Sequence, residues 1–190
     1  MRLAAVLRRL LGRDELPGGF TGRLAPDERV LATAALAGGG HVVVTSLGMW
    51  LPADGSLAGP SMGAADAARR LGWHLVTKAA WSGGAITLVE AAECAAVGGI
   101  VLLADRPPRR LRLVEPGRVP EVVHERVTAS IRSRQHRELP GGGAWIVARK
   151  VPGRDGIVVQ VRPDPGTDEV AAHEFAADVA RSLGHGDIDG

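Results

Sequence analysis

The chain of 190 residues holds one cysteine, two phenylalanines and no tyrosine, and of its 23 basic side chains only Lys78 and Lys150 are lysine. A single cysteine excludes an internal disulfide and a zinc site built on paired thiolates, as expected of a protein kept in a reducing cytoplasm. Cys94 itself reads as a small buried hydrophobe. Aromatic residues make up 3% of a chain that is 45% hydrophobic, so Val, Leu, Ala and Ile must fill the interior and the four tryptophans read as core anchors. Arginine in place of lysine, with abundant Ala and Gly, suggests a high-GC bacterial coding bias. The 23 basic and 21 acidic groups leave a net charge of +2, which excludes a histone-like polycation. No stretch reaches the roughly 18 to 20 uninterrupted apolar residues of a membrane-spanning helix. Arg8 and Arg9 interrupt the opening apolar run where an export signal needs an uncharged core. The expectation is a soluble, cytoplasmic protein.

Catalytic patterns are also missing. There is no Gly-x-Ser-x-Gly elbow, and the triplets Gly38-Gly39-Gly40 and Gly141-Gly142-Gly143 lack the Gly-Lys-[Ser/Thr] ending that cradles phosphate, so both read as turns. His41, His74, His124 and His136 have no ligand set at zinc spacing, and His74 alternates opposite Trp73 and so reads as outward-facing. His124 with Glu121 and Glu125 reads as one solvated helix face. Glu90 and Glu93 fall near a turn with nothing to raise a carboxyl pKa. No catalytic residue, metal or cofactor is expected.

What is present is a succession of strands. Val30–Leu36, His41–Ser46, Met49–Leu51, Leu71–Ala79, Ala85–Glu90, Ile100–Asp105 and Arg109–Val114 carry β-branched or alternating apolar residues between Gly, Pro and Asp turns. The Ala53–Arg70 stretch reads as a loop with one helical turn near its end. A helix follows from Pro120, with Val119, Val123, Val127 and Ile131 at four-residue intervals; these β-branched residues need packing to hold them helical.

Three runs in this region, Asp27–Ala32, Gly40–Pro52 with its Thr45-x-x-Gly48-Met49-Trp50, and Gly72–Leu88 with Trp73-x-x-Val76 and Trp81-x-Gly83-Gly84, resemble bacterial pleckstrin-homology-like (PH-like) domains over roughly residues 24 to 133. The resemblance implies an α+β fold: a seven-strand antiparallel meander closed as a barrel and capped by its C-terminal helix. It also implies a module that holds partners or lipid headgroups. The loop Ala37–Gly40 lacks the clustered Lys and Arg of lipid-binding members, so phosphoinositide binding is not implied.

Residues 134–143 read as a polar, Gly-rich linker. Beyond it, Ala144–Val151 and Gly156–Arg162 form a hairpin, and Asp168–Leu183 a helix with Ala172, Phe175, Ala176, Val179 and Leu183 inward and Asp168 or Thr167 as N-cap. A lone hairpin is marginal, so this ββα unit, residues 144–184, is expected to pack on the meander. Residues 1–13 form an amphipathic helix with Leu3, Val6, Leu7 and Leu10 opposed by Arg2, Arg8 and Arg9. It reads first as a helix docked on its own domain or a second copy, and alternatively as one lying on an anionic bilayer.

From Arg106 to Arg137, nine arginines face Glu115, Glu121 and Glu125, an excess of nine minus three, +6. Arg109, Arg110 and Arg112 lie on a strand, Arg132, Arg134 and Arg137 in the linker, and together they form a candidate basic patch for phosphate or an acidic protein surface. Without interleaved aromatics, nucleic acid is the weaker reading. The leading expectation is a non-catalytic protein-binding adaptor or regulator, with a partner groove between a C-terminal helix and an exposed strand edge. The alternative is a peripheral membrane binder using Arg2, Arg8, Arg9 and the arginine patch. An anionic-ligand or nucleic-acid binder stands third.

Overall fold

The structure, a computed structural model, describes residues 15–52, 68–153 and 155–186. Its strands are β1 Val30–Leu36, β2 His41–Thr45, β3 Gly48–Leu51, β4 Arg69–Gly72, β5 Val76–Ser82, β6 Ala85–Val97, β7 Ile100–Asp105, β8 Arg109–Val114, β9 Ile131–Leu139, β10 Gly142–Lys150 and β11 Ile157–Pro163; the helices are α1 Val119–Ser130 and α2 Glu169–Gly186. Hydrogen bonding joins all eleven strands in the order β4-β3-β2-β1-β8-β6-β7-β11-β10-β9, with β5 paired to β6. The β7–β11 pair is parallel, and the other ladders of described register are antiparallel.

This corrects the expected fold class. The chain is a mixed eleven-strand sheet with two helices, where a seven-strand antiparallel PH-like barrel capped by a C-terminal helix and extended by a ββα unit was expected. Two misreadings account for the difference. The Ala-rich end after Glu90 continues β6 to thirteen residues and carries it into a ladder with β7. The polar segment 134–143, expected to be a linker, belongs to β9 and the start of β10, joined by a tight turn at Pro140-Gly141. The amphipathic helix expected over residues 1–13 lies outside the described residues.

The chain divides into two interleaved units: residues Met1–Val89 with Pro108–Thr128, and Glu90–Pro107 with Ala129–Gly190. In the first, Val42, Val44, Leu51, Trp73, Ile86, Leu88 and Leu111 form the core, and α1 contributes Val119, Val122 and Val123. A helix rich in valine is a poor helix former on its own, so this burial is what fixes it. The segment read as one strand over Leu71–Ala79 is broken by a 3-10 turn at Trp73–Leu75, which drives the Trp73 indole into the core, its Nε1 donating to the Thr45 carbonyl at 3.1 Å. His74, expected to face outward, is half-buried in that turn.

The same unit contains a buried carboxylate. Glu28 accepts hydrogen bonds from Thr45 Oγ1 (2.6 Å), Trp50 Nε1 (2.8 Å), Arg70 Nη1 (2.8 Å) and the Ala25 amide (3.0 Å). Burial pushes its pKa up, and these hydrogen bonds to the charged form outweigh it, leaving the carboxyl below its ordinary value. Gly48 sits where a Cβ would lie 2.4 Å from the Leu71 carbonyl oxygen, so only glycine lets β3 and β4 pair there.

In the second unit, Ile100, Leu102, Ala144, Val161 and Ala176 form the core, with Phe175, Val179 and Ala180 of α2 packed against it. Asp168 caps α2, its Oδ1 accepting the Ala171 amide at 2.9 Å. Small residues at Ala172 and Ala176 let the helix sit close to the strands.

Candidate functional site

β9 ends the strand order: it pairs with β10 on one side, and among the described residues no strand pairs with its other side. Its seven residues Arg132–Glu138 are all exposed. Unpaired N–H and C=O groups along such an edge are a template for another strand.

Register fixes what each face of the edge presents. His136 stands opposite Trp145 and Arg134 opposite Val147, so Arg134, His136 and Glu138 share a face with Trp145. Ser133, Gln135 and Arg137 share the other face with Ala144, Ile146 and Ala148. The register slips between Ala148 and Arg149, opposite Ile131–Ser133, which places Arg132 at a bulge. On the first face, the Arg134 guanidinium lies 5.9 Å from the Trp145 ring centroid. The His136 ring lies 5.0 Å from the same indole. His136 Nε2 stands 2.6 Å from Asp164 Oδ2 and Nδ1 stands 3.6 Å from Glu138 Oε1, so a carboxylate flanks each ring nitrogen.

The second face is partly covered by α2. Beside the helix a groove of about 400 Å³ remains, walled by Ile146, Ala148, Val159, Phe175, Val179 and Leu183 and rimmed by Ser133, Gln135 and Arg137 of β9. The turn between β9 and β10 holds this geometry. Gly141 has φ +78°, and a Cβ there would stand 2.7 Å from the Gly166 carbonyl oxygen. Thr167 Oγ1 accepts from the Gly143 amide (3.1 Å) and donates to the Gly143 carbonyl (2.7 Å), tying the hairpin to the start of α2. The glycine triplet that suggests a flexible connection is needed for this close approach.

Further along β10, Arg149 is 4% exposed and its Nη1 donates to Ser130 Oγ at 2.8 Å. Burial, and then the neighbouring Arg162, push its pKa down to about 10. Arg162 itself pairs with Asp105 at 2.5 Å.

The six candidate arginines divide equally between the two units. Arg110 and Arg112 are exposed on β8 with Leu111 and Leu113 buried between them, and Arg109 is half-buried opposite Leu88. Arg132, Arg134 and Arg137 belong to β9, where Arg137 faces the groove and Arg134 the opposite side. Arg2, Arg8 and Arg9 lie outside the described residues. Sequence reading missed the His136–Asp164 pair, whose partners are 28 residues apart and meet only because β9, β10 and β11 are adjacent. Cys94, expected to be buried, is exposed on β6. Two of the four tryptophans, Trp50 and Trp73, are buried core residues; Trp81 is 43% exposed and Trp145 half-buried. No group of three or more His, Cys, Asp or Glu among the described residues is placed to hold a metal. No helix among them is long and apolar enough to cross a membrane.

A β-rich chain with an open, cationic strand edge beside a helix-walled groove is the class that fold and site define. Beyond that class, no protein family, no curated protein and no solved structure matches the chain. The likeness to PH-like domains therefore rests on its quoted motifs alone.

Proposed function

We propose that this chain is a non-catalytic protein-interaction module that takes an extended segment of a partner as an added strand on β9. The supporting observation is the coincidence of an open nine-residue strand with a groove alongside it. Main-chain hydrogen bonds along an edge supply affinity, and a groove receiving alternate side chains supplies selectivity. The groove volume falls within the roughly 300–1,000 Å³ of sites that bury most of a ligand. Of the residues in the membrane alternative, Arg2, Arg8 and Arg9 lie outside the described residues.

The test is selection of peptides from a displayed library against the full chain, followed by amide exchange of the complex. Bound peptides should slow exchange along Arg132–Leu139, and N-methylation at alternate peptide residues should abolish binding by removing donors to β9. Tight binding that tolerates N-methylation, or protection confined to other strands, would sink the proposal.

A further inference from the structure

We infer that the groove beside α2 binds a free anionic amphiphile, a carboxylate carrying a hydrocarbon tail of about ten carbons. This goes beyond strand addition. A segment added to the outer edge of β9 reaches the rim formed by Ser133, Gln135 and Arg137, whereas the apolar floor lies further in, on β10, β11 and α2.

The floor is apolar surface that the second unit leaves uncovered. Ala144, Ile146 and Ala148 share one face of β10, and Val161 and Val159 of β11 stand across from Ile146 and Ala148. On that face Ala144 and Val161 are fully buried, while Ile146, Ala148 and Val159 are half-buried. From α2, the half-buried Phe175 and Val179 and the 51% exposed Leu183 line the same space. An apolar cavity of about 150 Å³ holds benzene, so the groove's 400 Å³ has room for roughly sixteen heavy atoms.

The groove also has a direction. Thr167, just before α2, is tied to Gly143, and a Cβ at Gly98 would lie 2.7 Å from Ala180 Cβ, so the helix runs from the β9–β10 turn toward the β6–β7 turn. Along β9, Arg137 stands opposite Ala144 and Ser133 opposite Ala148. Arg137 therefore marks the end of the groove where α2 begins, and Leu183 the other. The charge at the Arg137 end is uncompensated. Among the described residues its guanidinium donates to Gln135 Oε1 at 3.5 Å and pairs with no carboxylate. Asp178, the carboxylate in the groove wall, is already ion-paired with Arg181. A carboxylate head at Arg137, with its tail laid toward Leu183, meets a matching group at both ends, whereas a cationic head would face the guanidinium.

The test is titration calorimetry of the full chain with decanoate, decanol, decyltrimethylammonium and hexanoate, each kept below its micelle concentration and solubility limit. Decanoate should bind tightest, and hexanoate roughly tenfold more weakly for the methylenes it lacks in a half-open groove. Arg137→Gln should weaken decanoate about fivefold, the upper end for an exposed ion pair, and leave decanol unchanged. That difference between two ligands on one variant cannot come from misfolding. Leu183→Asp, at the tail end, should weaken decanoate and decanol alike. Methyl NMR with decanoate should shift Ile146, Val159, Val179 and Leu183. Equal binding of decanoate and decyltrimethylammonium, shifts confined to methyl groups elsewhere, or no binding of decanoate would overturn the inference. Peptide selection on β9 is read separately, so either reading can fail while the other stands.

Discussion

Replacing Glu28 tests whether a satisfied buried carboxylate holds the first unit together. Its side chain is fully buried and accepts from four donors. In Glu28→Ala the Arg70 guanidinium, 39% exposed, turns to water, and the Thr45 hydroxyl redirects its one proton to the Gly48 carbonyl, 2.9 Å away. The Trp50 indole N–H and the Ala25 amide are left without their acceptor, at about 1–3 kcal/mol each, so the expected loss is about 3–4 kcal/mol. Glu28→Gln keeps one carbonyl oxygen but turns an NH2 toward the remaining donors, and should lose about 2 kcal/mol. Because the folded carboxyl sits below its ordinary value of 4.5, the unfolded chain takes up the proton first. The stabilisation is then complete above that value and is lost as pH falls through the folded pKa. Urea unfolding in a Trp145→Phe background reads this through Trp50, Trp73 and Trp81, all in the first unit. The gap between parent and Glu28→Gln should narrow from pH 7 to pH 3. A gap below about 1 kcal/mol at pH 7, or one that does not change down to pH 3, would refute the reasoning.

Three further outcomes follow from contacts described above. Gly48→Ala, with its Cβ 2.4 Å from a backbone oxygen, should cost about 3 kcal/mol in urea unfolding by forcing β3 from β4. Gly141→Ala combines a left-handed backbone with a 2.7 Å approach to the Gly166 carbonyl, and should cost about 2 kcal/mol or more. It should also weaken library-selected peptides, read by anisotropy. Arg149→Met removes a cation that the fold holds at a cost, and should change unfolding free energy by less than about 1 kcal/mol near neutral pH. Since the folded guanidinium pKa is about 10, below its unfolded value, the parent should gain stability relative to Arg149→Met as pH climbs past 10.

Where side-chain pattern and environment agree, the sequence was readable. The alternation of Arg110 and Arg112 with Leu111 and Leu113, the valine run of β2, the Asp168 cap and the core position of Trp73 all follow from local periodicity or turn chemistry. The strand that carries the candidate site was not readable. Arg132–Glu138 buries no hydrophobic side chain, so it offers no apolar period; it is a strand because Gly142–Lys150 lies beside it. The terminal half of β6 was hidden for a related reason: in Glu93–Val97 no side chain is buried, Glu93, Cys94 and Ala96 being exposed, and the stretch is held by pairing with β7. Glycines at 141–143 signal flexibility in isolation, and only tertiary contact with Gly166 and Thr167 gives them their role.

The interleaving of the two units has a consequence for synthesis. A ribosome delivers the second half of β6 and all of β7, which belong to the second unit, before β8 and α1 complete the first, and β7 then waits for β11, since Val101 pairs with Gln160, 59 residues later. Pairing across such separations forms slowly, because the loop must close before any contact rewards it. The β6–β7 hairpin therefore emerges with the β7 edge unpaired until β11 has been made. Substitutions in Ile100–Asp105 should thus lower the yield of folded protein in cells more than they lower the stability of whatever protein is recovered.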